Sequence, residues 1–216
     1  MINVLAQTNS VANNFLAEIR DIEVQRDALR FRRNMERLGE IFAYEISKTL
    51  DFYEQEVTTP LGTAMVRKTE RKVVLATILR AGLPMHQGML NYFDYAGNAF
   101  ISAYRKHHKD GSFEISLQYV TCPDLNDAVL IIADPMLATG QSIARTLQEL
   151  TRYGHPKSVH IVSAIAAREG VDHVRRHLPN ATLWLGDVDE ELTAKSYIVP
   201  GLGDAGDLSF GDKIQN

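Results

Sequence analysis

Residues 73–79 read Val-Val-Leu-Ala-Thr-Ile-Leu, an unbroken apolar run rich in β-branched side chains. A run that short, apolar at both alternating positions, predicts a parallel strand covered on both faces. Residues 128–132 and 158–166 repeat the pattern, and residues 182–185 give a shorter version. Between these runs the period changes. Ile143, Leu147 and Leu150 recur at helical spacing until Gly154 and Pro156 stop them. Residues 84–92, with Pro84 near a first turn, and residues 171–178 also predict helices. Strand and helix thus alternate from residue 73 onward, the pattern of an α/β chain with a mainly parallel sheet flanked by helices.

Upstream, Ala28, Phe31, Met35, Leu38, Phe42 and Ile46 step by three or four and predict one long amphipathic helix over residues 24–50. A weaker helix passes through Phe15, Leu16 and Ile19, after a short apolar piece at residues 2–5. Residues 52–65 suggest two short strands around a turn built from Thr58, Thr59, Pro60 and Gly62. Residues 100–105 and 113–120 suggest a second, projecting hairpin around a polar turn at residues 106–111.

At 216 residues the chain fits one domain: a helical region at about 1–50, a core at about 70–190 and a tail at about 191–216. A 45% hydrophobic and 23% charged composition is that of an ordinary globular protein. The net charge of −4 lacks the basic footprint of a polyanion binder, so no nucleic-acid partner is expected. No apolar run approaches a membrane span, so no membrane partner is expected either. A single cysteine, Cys122, excludes an intrachain disulfide and fits a reducing, cytoplasmic location. Arg26, Arg30, Arg32, Arg33 and Arg37 fall on the polar side of the long helix, where a solvated face is the expectation.

Three places carry candidate chemistry. The first is Asp134-Pro-Met-Leu-Ala-Thr-Gly-Gln-Ser142, between a buried strand and a helix. Main-chain N–H groups at a helix start point outward, and the helix dipole favours an anion there. Ala138, Thr139 and Gly140 let a phosphate approach, Thr139 and Ser142 add hydroxyl donors, and Asp134 is placed to face sugar hydroxyls. An ordinary capped connection has the same spacing, so the pattern alone leaves both readings open. It is not a Walker loop, because no lysine follows the glycine.

The second place is Arg80-Ala81-Gly82, directly after a buried strand. A charge there needs a partner or a wet crevice, and open α/β sheets bind ligands at the carboxyl ends of their strands. Arg105 ends the next strand, and the basic turn after it would serve as a lid over a bound anion. Two histidines in that turn are too few for a structural metal site. The third place is Tyr197-Ile-Val-Pro-Gly-Leu-Gly-Asp-Ala-Gly-Asp207. Gly201, Gly203 and Gly206 satisfy a dinucleotide fingerprint, but no strand–helix–strand unit follows, so that reading is rejected. What remains is a glycine-dense loop without a helix, exposing main-chain N–H and C=O groups at close range.

Residues 134–142 resemble the phosphoribosyl pyrophosphate (PRPP) loop of uracil phosphoribosyltransferases, with Gln141 where the family usually has a second glycine. The stretch Ile78-Leu-Arg-Ala-Gly-Leu83 is similar to their pyrophosphate loop, Ala103-Tyr104-Arg105 to their Met-Tyr-Arg, and residues 197–207 to their uracil-binding loop. Departures lie at Pro84-Met-His-Gln-Gly88, where the family has Gly-Met-x-Asp-Gly, and in the hairpin turn, which is acidic in the family. His86 and Gln87 are expected to pack or support rather than catalyse.

The resemblance implies a type I phosphoribosyltransferase fold with a C-terminal base-binding loop. It also implies conversion of uracil and PRPP to UMP and pyrophosphate, with magnesium carried by PRPP, in a homodimer or higher oligomer. It assigns catalytic roles to Arg80, Arg105, Asp134 and Asp204. It assigns PRPP contacts to those four and to Ala81, Gly82, Pro135, Met136, Leu137, Ala138, Thr139, Gly140, Gln141 and Ser142. Uracil contacts fall to Ile198, Gly203, Asp204 and Ala205, and no metal is held by the protein itself. Main-chain groups suit uracil, a planar ring with two carbonyls and two N–H groups, and would reject cytosine by facing its amine with a donor.

Two questions stay open in the sequence. Gln141 is strained if its position needs a positive φ, and harmless if only its N–H is used. The departures also leave standing a regulator that binds PRPP or UMP without turnover, and the same reaction on another base.

Overall fold

A computed structural model describes residues 1–69, 72–107 and 113–213, with side chains described outside residues 103–117. In chain order the elements begin with β1 (Ile2–Val4), α1 (Ala12–Arg20), α2 (Ala28–Ser47) and the antiparallel pair β2 (Phe52–Thr59) and β3 (Gly62–Thr69). The central part holds β4 (Val73–Leu79), α3 (Leu83–Leu90), β5 (Gly97–His107), β6 (Phe113–Thr121), β7 (Val129–Ala133), β8 (Met136–Leu137) and α4 (Gln141–Leu150). The chain closes with β9 (Ser158–Ala167), α5 (Arg168–His177), β10 (Thr182–Asp189), β11 (Glu191–Leu192), β12 (Ile198–Val199) and α6 (Ala205–Phe210).

The main sheet runs in the order β1-β10-β9-β7-β4-β5-β6, with β8 alongside β9. Its pairs are parallel except β5 with β6, the hairpin expected at residues 100–120. Most of the turn of that hairpin lies outside the described residues. The apolar runs occupy the middle: β4 registers against β7, Thr77 opposite Ala133, and both strands are buried almost throughout. Alternation then sends successive side chains to opposite faces. Leu75, Ile131 and Ala133 meet Phe42, Met85 and Met89 on the face covered by α1, α2 and α3, whereas Ala76, Leu130 and Ile132 meet Ile143 and Val174 of α4 and α5. Ile198, Leu202 and Ala205 join the first of these clusters.

The long helix starts at Ala28, later than the period alone suggests. Asp27 ends the preceding turn by accepting a hydrogen bond from the Arg30 N–H, which satisfies one orphan donor of the first turn. Its period places Phe31, Met35, Leu38, Phe42 and Ile46 at no more than 1% exposure, each contributing about 2 kcal/mol by leaving water. Among the described residues no helix is long and apolar enough to cross a membrane.

The tail departs from the sequence reading. It is not a loop without a helix: six residues, Ala205–Phe210, form α6. Composition argues against a helix here, but Asp204 supplies the cap, accepting from the N–H groups of Gly206 and Asp207 at 2.9 and 3.0 Å. β8 and the extension of β10 to Asp189 also exceed the pattern, because both gain a parallel neighbour in β9.

Candidate active site

Parallel strands end at the same edge of a sheet, so Arg80 after β4, Asp134 after β7 and Asp189 at the end of β10 share one rim. Along that rim β9 and β7 separate β10 from β4, so the two outer strands stand roughly 14 Å apart at the usual strand spacing. The tail crosses this distance. It is attached at β10, where the Gly201 N–H donates to Asp189 Oδ2 at 2.9 Å. It is attached at β4, where Arg80 Nη2 donates to Asp207 Oδ1 at 3.1 Å and to the Gly211 carbonyl at 3.2 Å. In the strand order the ends of β9 and of β7, from which the 134–142 segment leaves, lie between these two attachments.

That segment divides in two. The Pro135 carbonyl accepts from the Ile165 N–H, and Met136 and Leu137 pair with Ile165 and Ala166, so these three residues have main chain engaged by β9. Leu137 is 1% exposed, its side chain in the core. Beyond it, Ala138, Thr139 and Ser142 are half-buried, Gln141 is exposed, and Gly140 caps α4 with φ of +78° and no side-chain cap. Gly140 carries the left-handed turn, and Gln141 is absent from the residues with positive φ among those described. Gln141 therefore enters the helix without strain and keeps its N–H directed at Thr139 Oγ1, 3.4 Å away. Gly170 of α5 supports the turn from behind: a Cβ there would lie 2.3 Å from the Ala138 carbonyl.

Arg80 is exposed, and the turn that holds it is closed by the Gly82 N–H donating to the Ile78 carbonyl at 3.0 Å. Gly82 has no room for a side chain, since a Cβ would meet Thr77 Oγ1 at 2.2 Å. Ala81 is half-buried beside Gly206 of the tail. His86 is buried against Phe100, ring centroids 5.3 Å apart, and burial lowers its pKa, while Gln87 is exposed and bonds Asn91. Arg105 stands in β5 opposite Ile115, and its side chain lies outside the described ones.

In the tail, Ile198 and Ala205 turn their side chains into the core, at 5% and 2% exposure, and Gly203 is exposed with φ of +93°. Such a segment offers a ligand main chain rather than side chains. Burial alone would raise the Asp204 carboxyl, but Lys213 at 2.8 Å and the Asp207 and Gly206 N–H groups hold it below the ordinary carboxylate range. Lys213 also approaches Asp207, at 3.9 Å.

Sequence reasoning missed the groups that fix this tail. Arg20 donates to the Gly201 carbonyl at 2.9 Å, and Arg32 to the Ser209 carbonyl at 2.7 Å. Arg32 corrects the expectation of a fully solvated arginine face on α2. Arg37 likewise lies over the Phe15 ring, 5.1 Å from its centroid. No local signal marks such pairs, whose members stand about 180 positions apart in the chain.

The uracil phosphoribosyltransferase family model matches residues 6–212. A uracil phosphoribosyltransferase of Porphyromonas gingivalis is 53% identical over 211 residues, covering 97% of this chain and 98% of that protein. The solved AQ2163 protein of Aquifex aeolicus superposes with a TM-score of 0.88 at 31% identity, covering 100% of both chains. A hypoxanthine phosphoribosyltransferase of Staphylococcus aureus, 15% identical, shares the fold alone, with a TM-score of 0.50 over 86% of this chain and 84% of that one. The chain belongs to the uracil phosphoribosyltransferase family and has the type I phosphoribosyltransferase fold.

Proposed function

We propose that this chain transfers the phosphoribosyl group of PRPP to N1 of uracil, giving UMP and pyrophosphate for the salvage of a free base. In the reaction the C1–O bond to pyrophosphate breaks, N1 of uracil bonds to C1, and the N1 proton leaves to solvent. Positive charge builds on the ribose and negative charge on the departing oxygens. Arg80, at the rim, stabilises the leaving group electrostatically, and Arg105 of β5 is assigned the same role. The turn at Ala138–Ser142 grips the 5′-phosphate with main-chain N–H groups and two hydroxyls, and Asp134 holds the ribose hydroxyls. Ile198 and Gly203–Ala205 read the base.

Magnesium enters this reading as part of the substrate, carried on the diphosphate oxygens. Asp204, kept ionised by Lys213, is the carboxylate suited to face that complex or the developing cation. Asp134 and Asp204 are assigned binding and electrostatic roles rather than base catalysis, so positioning of the two substrates supplies much of the rate. The observation that carries the proposal is the attachment of the tail to Asp189 at the β10 end and to Arg80 at the β4 end of the carboxyl rim, with β7, which leads to the turn assigned to the phosphate, between them in the sheet. Purified protein with uracil, PRPP and magnesium is expected to release pyrophosphate and UMP in equal amounts. Binding of PRPP without product would favour the regulator instead. One of the three departures behind that alternative loses its force, because Gln141 takes no positive φ.

A homodimer or higher oligomer belongs to the same proposal. It is supported by the apolar surface on the separate β2–β3 pair, where Leu61 is 99% and Met65 63% exposed. Light scattering behind gel filtration tests it. A cytoplasmic setting, which the single cysteine favours, completes the proposal.

A further inference from the structure

At the start of the tail both main-chain polar groups of one glycine are held by charged side chains. The Gly201 N–H donates to Asp189 Oδ2, and the Gly201 carbonyl accepts from Arg20 Nη1, both at 2.9 Å. The same guanidinium grips Asp189 with two parallel bonds of 2.8 Å, Nη1 to Oδ2 and Nη2 to Oδ1. Paired contacts of this kind fix orientation as well as distance. Asp187 takes a further 2.8 Å bond from Nη2. The side chains of Asp189 and Arg20 are only 7% and 21% exposed. Gly201 has φ of +59°, and a Cβ there would meet the Ile198 carbonyl at 2.2 Å, so its conformation is confined as well.

Burying a carboxylate at a strand end is unfavourable unless it is paired and fully hydrogen-bonded. Here the partner is the last residue of α1, 169 positions away, and what the pair jointly holds is Gly201. That glycine stands three residues after Ile198 and two before Gly203, between the segments assigned to the base. We infer that Arg20 and Asp189 are positioning residues that set the register of the base-reading main chain, and so decide how strictly uracil is chosen over cytosine. The inference rests on the proposed function of the tail. N–H and C=O groups discriminate between a carbonyl and an amine only while they cannot turn, and a main-chain reader takes its rigidity from whatever clamps it. Asp189, Arg20 and Gly201 stand at the β10 end of the rim, whereas the tail's contacts with Arg32 and Arg80 lie further along, at Asp207, Ser209 and Gly211. Loosening the clamp should therefore disturb the base end and spare the PRPP end.

The test is steady-state kinetics of full-length wild type, Arg20→Lys, Arg20→Met and Asp189→Asn, with uracil and cytosine as competing bases. Glu190→Gln, in an exposed pair with Arg168 at the same rim, is the control. Thermal unfolding identifies the variants that fold. The expected result is a KM for uracil raised about tenfold or more in Arg20→Met, with the KM for PRPP nearly unchanged and the preference for uracil reduced. Arg20→Lys, which keeps the charge but not the paired contact, should fall between. It also carries the test if the other two variants do not fold. Equal rises in both KM values with the base preference intact, or wild-type kinetics in a folded Arg20 variant, would overturn the clamp while leaving the proposed function in place. Wild type that makes no UMP would remove both.

Discussion

Arg80 Nη2 and Asp207 Oδ1 lie 3.1 Å apart, joining the end of β4 to the first turn of α6. The arginine assigned to pyrophosphate is therefore tied to the far end of the tail, at Asp207 and Gly211, and a change at Asp207 should be felt at Arg80.

On the proposed mechanism, Arg80→Ala removes a charge from the developing oxyanions. Loss of one such donor lowers kcat by about 10²–10³, and kcat/KM should fall with it, since the interaction strengthens in the transition state. The side chain is exposed, so the unfolding midpoint should hold. Turnover equal to wild type would take Arg80 out of the mechanism.

Asp207→Asn keeps the size of the side chain and weakens the link. The pair is part-exposed, at 41% and 28%, so stability should change by less than about 1 kcal/mol. The KM values for uracil and PRPP should rise together, because Asp207 meets Arg80 through its carboxylate and Asp204, assigned to both substrates, through its N–H. A rise confined to one substrate would show that the ends act separately.

The turn assigned to the phosphate depends on two glycines, Gly140 within it and Gly170 behind it, which no ligand needs to touch. Gly140→Ala forces a side chain into φ of +78°, at a penalty of about 1 kcal/mol, and Gly170→Ala drives a methyl group onto the Ala138 carbonyl. Both should weaken PRPP binding measured by calorimetry while the preference for uracil persists. Undiminished PRPP affinity in a folded Gly170→Ala would mean the turn is not gripping the phosphate.

What could be read in advance was what repeats or what is local. The buried runs of β4, β7 and β9 and the period of α2 announce themselves, because burial on both faces or along one stripe leaves a pattern. Gly186-Asp187-Val188-Asp189 lies beyond the apolar run at residues 182–185, yet it continues β10, since Gly186 lets the Ala164 carbonyl come close and β9 supplies the partner. Thr139, Gly140 and Asp204 were identifiable from motif and small size. Arg20, Arg32 and Asp207 were not, because their meaning comes from where the tail returns.

A second buried pair predicts how stability depends on pH. His160 Nδ1 accepts from Trp184 Nε1 at 3.0 Å, with Ser158 Oγ 3.3 Å from Nε2, and burial brings the ring's pKa down to about 4. The unfolded chain, at about 6.5, binds more protons between those values, so this contribution is whole above pH 6.5 and is lost as pH falls toward 4. The loss should approach about 3 kcal/mol. His160→Gln, which keeps an acceptor for Trp184, should flatten the unfolding free energy between pH 6.5 and 4. An unchanged slope would show that another group titrates there.

The central claim is that one mononucleotide spans the turn after β7 and the tail. Titrating isotopically labelled protein with UMP while following backbone amide resonances tests it directly. Thr139–Ser142 and Gly203–Ala205 should shift together and saturate at the same UMP concentration. Shifts confined to one segment, or two segments saturating at different concentrations, would contradict a shared site.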